Sequence, residues 1–190
     1  MEGEKVHIAA SSIIYLIQVM TGKEHTYVRH IKRLSDRLDP FTLLVPSRQL
    51  THRRRGRSFQ VVKPVFPGYI FLVCEETGIG PDTRTALRRT PGFIRYIRNE
   101  SGELTPLTPH DRELLVRLTA TGETSRRSVV TFDKNNRVVP LSGPLKACEG
   151  TIIKIDRRKR RARVKFLLND KRFLIDFEYE EIAPIKAETK

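Results

Sequence analysis

VVKPVFPGYIFLVCEE occupies residues 61–76. Pro67-Gly68 is a turn signal inside an otherwise apolar run. The six residues after it, Tyr69 to Cys74, carry no charge and predict a short strand buried on both faces. A second segment of this kind, IIYLIQVM at 13–20, is apolar except for Gln18 and suits a central strand covered on both sides. Two such strands need helices to cover them, and the sequence supplies candidates.

Lys23 to Leu38 places Val28, Ile31, Leu34 and Leu38 at spacings of three, three and four, one face of a helix that Asp39-Pro40 ends. Leu43 to Val45 predicts a short strand, followed by a polar stretch to about Ser58. Asp82 to Arg89 predicts a short helix stopped by Pro91-Gly92, and Phe93 to Arg98 another strand. Thr108 offers an N-cap with Pro109 at the first helical position, opening a helix that carries Leu114, Leu115 and Leu118. This order is a split βαβ pattern with a final helix appended, an α+β module with helices packed on one face of an antiparallel sheet. It is assigned to residues 1–118. Residues 119–127 lack periodicity and suit a flexible linker. Residues 128–190 show short alternating strands with turn signals and no helix pattern, as expected of a small SH3-like β-barrel whose closure removes exposed edges.

Composition narrows the function. In 190 residues, 36 Lys and Arg oppose 22 Asp and Glu, a formal charge of +14 that attracts polyanions. Nucleic acid is therefore the expected partner. The longest apolar stretch, Ile13 to Ile17, falls far short of the roughly 20 residues of a membrane span, and no secretory signal is apparent. Cys74 and Cys148 are too far apart for metal-ligand spacing and suit reduced, semi-buried thiols of a cytoplasmic protein. The five histidines are scattered, and there are no paired carboxylates, nucleophile elbow or glycine-rich phosphate loop. The expectation is a protein that is not an enzyme, with no cofactor and no metal.

Four stretches of the first module, YLIQVMTGKE at 15–24, VPSRQL at 45–50, VFPGYIFL at 65–72 and RRTPGFIRYI at 88–97, resemble the NusG family of transcription elongation factors. In the second, SGPLKACEGTIIKID at 142–156 is similar to the KOW motif, with Gly150 at its central glycine. The resemblance implies an N-terminal NGN domain that docks on the clamp helices of bacterial RNA polymerase, and a C-terminal KOW barrel that recruits a further partner. It departs from the family in having Ile14-Tyr15 where an aromatic pair commonly opens the first strand, and DKNNRVV where an acidic-glycine turn commonly opens the barrel. Arg157 to Arg161 is more basic than the general factor's barrel implies. In this respect the chain looks more like specialised paralogs, particularly the LoaP group of processive antiterminators, implicated in recognising a hairpin in leader RNA.

Candidate sites follow. Val65, Phe66, Pro67 and Tyr69, with Tyr15 on the neighbouring strand, are either ordinary core or, as the resemblance implies, an apolar surface that grips polymerase. Arg53, Arg54, Arg55 and Arg57 sit in a glycine-containing loop, either a solvated hairpin tip or a contact for displaced non-template DNA. In the barrel, Ile153 and Ile155 are expected in the core on one strand, and Ala162, Val164 and Phe166 on the next. Alternation then turns Arg161, Arg163 and Lys165 outward as a stripe of like charge that a polyanion would relieve. Arg157, Arg158, Lys159 and Arg160 form the turn between. With Lys146, Lys171 and Arg172 they make the candidate RNA surface. The expected protein is a monomer acting as an operon-specific antiterminator. Two alternatives stay open: a general factor whose barrel binds Rho or a ribosomal protein, and a ribosome-associated KOW protein.

Overall fold

The computed structural model describes residues 8–34, 38–148 and 151–182. A four-stranded sheet of order β2-β5-β1-β6 organises the N-terminal module, with β1 (Ile13–Val19), β2 (Phe41–Leu44), β5 (Tyr69–Cys74) and β6 (Phe93–Tyr96). The two apolar segments are its central pair. They run antiparallel with Tyr15 opposite Leu72 and Ile17 opposite Ile70.

Period-two alternation sorts the side chains of β1 and β5 onto two faces. Tyr15, Ile17, Val19, Ile70, Leu72 and Cys74 pack beneath α1 (Glu24–Lys32) and α2 (Pro81–Arg89), against Tyr27, Ile31 and Leu87. The Tyr27 hydroxyl donates to the Leu87 carbonyl at 2.7 Å and ties the two helices together. Ile14, Leu16, Tyr69, Phe71 and Val73 face the other way. There they meet Leu114, Leu115 and Leu118 of α3 (Pro109–Thr119), so the third helix lies across the sheet from the first two. Thr108 caps α3 as expected, its hydroxyl accepting the Asp111 amide at 3.1 Å.

α1 stops at Lys32, short of the expected Leu38, and its buried face is Tyr27 and Ile31; Leu34 is exposed. The polar stretch after β2 is not a loop. It folds into a hairpin of β3 (Ser47–Arg54) and β4 (Arg57–Pro64), closed at Arg55-Gly56 and extended at its base by parallel pairing with β7 (Thr124–Ser125). The stretch expected to be a linker is thus tied to the first module: Ser47 donates its amide to the Glu123 carbonyl, and Val45 donates to the Glu123 carboxylate at 2.7 Å.

The C-terminal module is a five-stranded sheet of order β10-β11-β12-β8-β9, built from β8 (Ser128–Phe132), β9 (Val138–Ser142), β10 (Ile152–Asp156), β11 (Arg161–Leu168) and β12 (Lys171–Glu181). A short α4 (Pro144–Ala147) interrupts it, where no helix was expected. Gly143 precedes it at φ +78°, pressed so close that a Cβ would stand 2.7 Å from the Ser128 Cα. Gly150 lies outside the described residues. The core inventory of β11 holds, with Ala162, Val164 and Phe166 buried. That of β10 does not: a register shift between Ile152 and Lys154 turns Ile153 out to solvent and leaves Ile152 and Ile155 half-buried.

The two modules share one apolar core. Ile14, Phe66, Phe71 and Leu115 belong to the same packed cluster as Val164, Phe166, Phe173 and Phe177. The barrel sits on the sheet face that α1 and α2 leave open.

Candidate nucleic-acid interface

The FPGY turn is held from behind. Gly68, at φ +83°, donates its amide to the Glu24 carboxylate at 2.6 Å, and Glu24 is 2 % exposed at the start of α1. A Cβ on Gly68 would stand 2.9 Å from the Thr21 hydroxyl. This accounts physically for a glycine at 68 and a carboxylate at 24. The role of Glu24 was not legible from the sequence, because a glutamate opening a helix ordinarily faces water.

The turn delivers Phe66 into the joint between the modules. Its ring packs edge-on against Phe71, Phe166 and Phe173, with centroids 5.3–5.8 Å apart. Tyr69 packs on Phe173 at 5.7 Å, and Lys171 donates to its hydroxyl at 2.8 Å. Val65 and Phe66 are each 1 % exposed, and Pro67 is exposed. Tyr15 does not share that surface. It stands opposite Leu72 and so faces α1 and α2, where burial raises its phenol pKa. A strand reverses face at every residue, and the pairing register decided which face Tyr15 took.

β12 forms the seam on the barrel side. Below Lys171 and Phe173, the Asp176 carbonyl accepts from Arg48 Nε at 2.8 Å. Arg48 also donates to the Pro64 carbonyl and lies 5.9 Å from the Phe177 ring centroid; burial pulls its guanidinium pKa down to about 10. Glu178, 6 % exposed, accepts the Thr51 amide with one oxygen and the Thr51 hydroxyl with the other, at 3.0 Å. Around it, Arg127 Nε lies 3.1 Å and Arg161 Nη2 3.5 Å from its oxygens. Across the seam, Asn169 donates its amide to Asp111 of α3.

The outward stripe exists but is not bare. On β12, Asp176 and Glu178 stand directly opposite Arg163 and Arg161. Arg163 grips Asp176 with two hydrogen bonds of 2.7 and 3.0 Å, which hold the Asp176 carboxyl below its usual range and raise the Arg163 pKa. Arg161 spends its Nη2 on the Thr51 carbonyl at 2.8 Å as well as on Glu178. The protein's own carboxylates therefore relieve the repulsion for which a polyanion was expected. Lys165 remains exposed, opposite Leu174.

The turn itself, Arg157 to Arg160, stands in solvent. Arg157 lies over the Phe132 ring at 4.1 Å and donates to Asn136, while Lys159 is a loose 4.0 Å from Asp156. Lys146, on α4, and Arg172, at the start of β12, are exposed. Arg53, Arg54, Arg55 and Arg57 crowd the tip of the β3–β4 hairpin and are exposed. Cys74 and Cys148 are buried free thiols with pKa values pushed up by burial to about 12, so neither is a reactive thiolate.

A split βαβ sheet with an arginine hairpin, followed by a five-stranded barrel with a Gly-Pro-Leu entry, is the two-module NGN–KOW architecture. A family model described as transcription termination factor nusG matches residues 14–116. Similar proteins named transcription termination/antitermination protein NusG include that of Halalkalibacterium halodurans, 25 % identical over 177 residues (90 % of this chain, 97 % of the relative). The Bacillus subtilis protein of the same name is 23 % identical over 176 residues (88 % and 96 %). A solved structure titled "Domain interaction in Thermotoga maritima NusG" has the same fold, with a TM-score of 0.57 and 17 % identity over 88 % of this chain and 93 % of that one. The chain belongs to the NusG family of transcription termination and antitermination factors. That family consists of transcription regulators and not enzymes. No helix among the described residues is long and apolar enough to cross a membrane.

Proposed function

We propose that this chain is a specialised, operon-directed processive antiterminator of the LoaP kind. It rides bacterial RNA polymerase through its N-terminal module and reads structured leader RNA with its barrel. The observation that carries this reading is the solvent-facing turn Arg157–Arg160, four cations in succession of which only Lys159 approaches a carboxylate among the described residues. An exposed basic turn on a small barrel suits a phosphate backbone. Val65, Phe66, Pro67 and Tyr69 form the polymerase-docking turn in this reading. The barrel covers Phe66 and Tyr69 here, so docking requires the barrel to leave, and the chain waits in a closed form until it is recruited.

Exchanging residues 128–190 for the barrel of a general NusG tests the assignment. Choice of operon in a reporter assay should follow the barrel. Choice that stays with the N-terminal module would shift specificity to the arginine hairpin.

A second reading has an observation of its own. Leu167 and Leu174 are each 52 % exposed and lie diagonally across β11 and β12 beside Lys165 and Arg172. Such an apolar pair suits a protein partner, such as Rho or a ribosomal protein. Loss of that partner on changing Leu174 to Asp, with RNA binding intact, would show that the barrel carries both surfaces.

A further inference from the structure

We propose that the arginine hairpin and the barrel's basic turn are two lips of a single groove for single-stranded RNA, complete only while the modules are closed. The RNA itself rests on the function proposed above; the groove is a feature of the closed fold.

A cleft of about 790 Å³ runs between the modules. Thr51, His52 and Arg53 of β3 line one side, and Arg158 to Arg161 the other, with Arg127 and Glu178 between. Six cations and two carboxylates, Glu178 and Glu180, border it, an excess of four positive charges. Glu178 is already engaged by Arg127, Arg161 and Thr51. Arg53, Arg158 and Arg160 have no carboxylate partner among the described residues. Closing the modules therefore brings uncompensated cations from two domains to one cleft, an arrangement that a phosphate backbone relieves.

A second observation is independent of charge. Among the described residues, four buried side-chain polar atoms have no hydrogen-bond partner: His52 Nε2, Thr131 Oγ1, Arg161 Nε and the Tyr179 hydroxyl. Three of the four belong to residues that line this cleft. Buried polar groups are nearly always paired, so three orphans in the wall of one cleft mark it as a polar site completed by ordered water or by the polar groups of an occupant. Phe59, 43 % exposed, lies beside His52 with ring centroids 6.1 Å apart and offers a face on which an unpaired base can stack. Aromatic faces beside a basic track favour a single strand over a duplex.

RNA that touches both lips binds the closed form better than the open one, so the groove belongs to the state before docking, and opening on polymerase leaves RNA only the barrel's lip, Arg158 to Arg161. The test measures binding of a ~12-nucleotide oligouridylate, within the usual single-strand site size of roughly 4–16 nucleotides, to the full chain over a range of salt. If four to six cations touch phosphate, the log–log salt slope is about −3 to −4, at about 0.7 per contact on single strands. Arg53→Gln and Arg158→Gln should each weaken binding and lower the slope by about 0.7. Phe173→Glu, which places a charge in the apolar joint, opens the modules. In that background Arg53→Gln should no longer matter, while Arg158→Gln still should.

If Arg53→Gln leaves RNA binding unchanged in the closed protein while Arg158→Gln weakens it, the two lips are separate sites and the groove is wrong, with RNA reading by the barrel intact. If the oligouridylate does not bind, the groove is wrong; a hairpin RNA titrated alongside decides the leader-RNA function separately, which stands if the hairpin binds and falls if it does not. Oligothymidylate of the same length is the second arm. Equal binding with the same Arg53 dependence supports the groove and assigns recognition to phosphate and base faces common to both acids. Binding of the DNA that depends on Arg53 but not on Arg158 overturns the groove.

Discussion

The ring of Phe66 meets Phe173 nearly at right angles, 85° between planes and 5.3 Å between centroids, and this contact joins the NGN module to the KOW barrel. Phe66 comes from the family's FPGY turn and Phe173 from the barrel's longest strand. In the closed protein, the surface proposed for polymerase is the barrel's own binding surface.

Phe173→Glu should separate the modules, since a carboxylate buried between Phe66 and Tyr69 has no cation placed to pair with it but Lys171. The expected result is an expanded particle in small-angle scattering and tighter binding to core polymerase. Phe66→Ala acts differently. Losing a ring that touches three others should cost about 3–5 kcal/mol in denaturant unfolding as well as weakening polymerase binding. Normal polymerase binding by Phe66→Ala would remove this turn from the docking surface.

Glu178→Ala should leave Arg161 without its carboxylate and the Thr51 amide without its acceptor. The expected loss is about 3 kcal/mol, the low end for losing one partner of a buried pair, because Arg127 is half in water. Urea unfolding measures it, and the loss should fall on closure rather than on the barrel core.

The Arg163–Asp176 pair is more exposed, with side chains 42 % and 30 % accessible, and a double-mutant cycle should return only about 0.2–1 kcal/mol. Its pH dependence has a definite sign. Chiefly through the Arg163 hydrogen bonds, the Asp176 carboxyl is held below its ordinary value in the folded protein. Its contribution is therefore present above the unfolded carboxylate pKa of about 3.9 and is lost as pH falls through the lowered folded value. Melting curves of Asp176→Asn and the parent should differ at neutral pH and converge in acid.

Gly143→Ala should destabilise the barrel. The backbone conformation, φ +78° and ψ −170°, is one that only glycine adopts readily, at a cost of about 1–3 kcal/mol for other residues. The added carbon would also strike the Ser128 backbone at 2.7 Å. Thermal unfolding should show a clear drop, and Gly102→Ala is the control, since a carbon there meets nothing within 4 Å and carries only the positive-φ penalty at φ +79°.

Several elements are legible in the amino-acid sequence because their signals are local. β1 and β5 stand out as uncharged runs, the Thr108-Pro109 pair marks the start of α3, and Pro91-Gly92 closes α2. The β3–β4 hairpin escapes because almost none of its side chains are buried. β4 is exposed or half-exposed along its whole length, so no apolar alternation betrays a strand. Ile153 escapes for a related reason: a register shift in the ladder resets the alternation that its neighbours suggest.

Neighbours a few positions apart along the chain dictate the alternation that builds each module and the turn residues that end the strands, and composition alone sets the surplus of positive charge. Folding in three dimensions was needed to turn Tyr15 and Phe66 to opposite sides of one sheet, to cover Phe66 with the barrel, and to set Asp176 and Glu178 against Arg163 and Arg161. It also brought Arg53 and Arg158, more than a hundred residues apart, to the border of one cleft. Each of these follows from the register of strand pairing and the docking of two modules, and both are set by contacts between residues far apart in the chain.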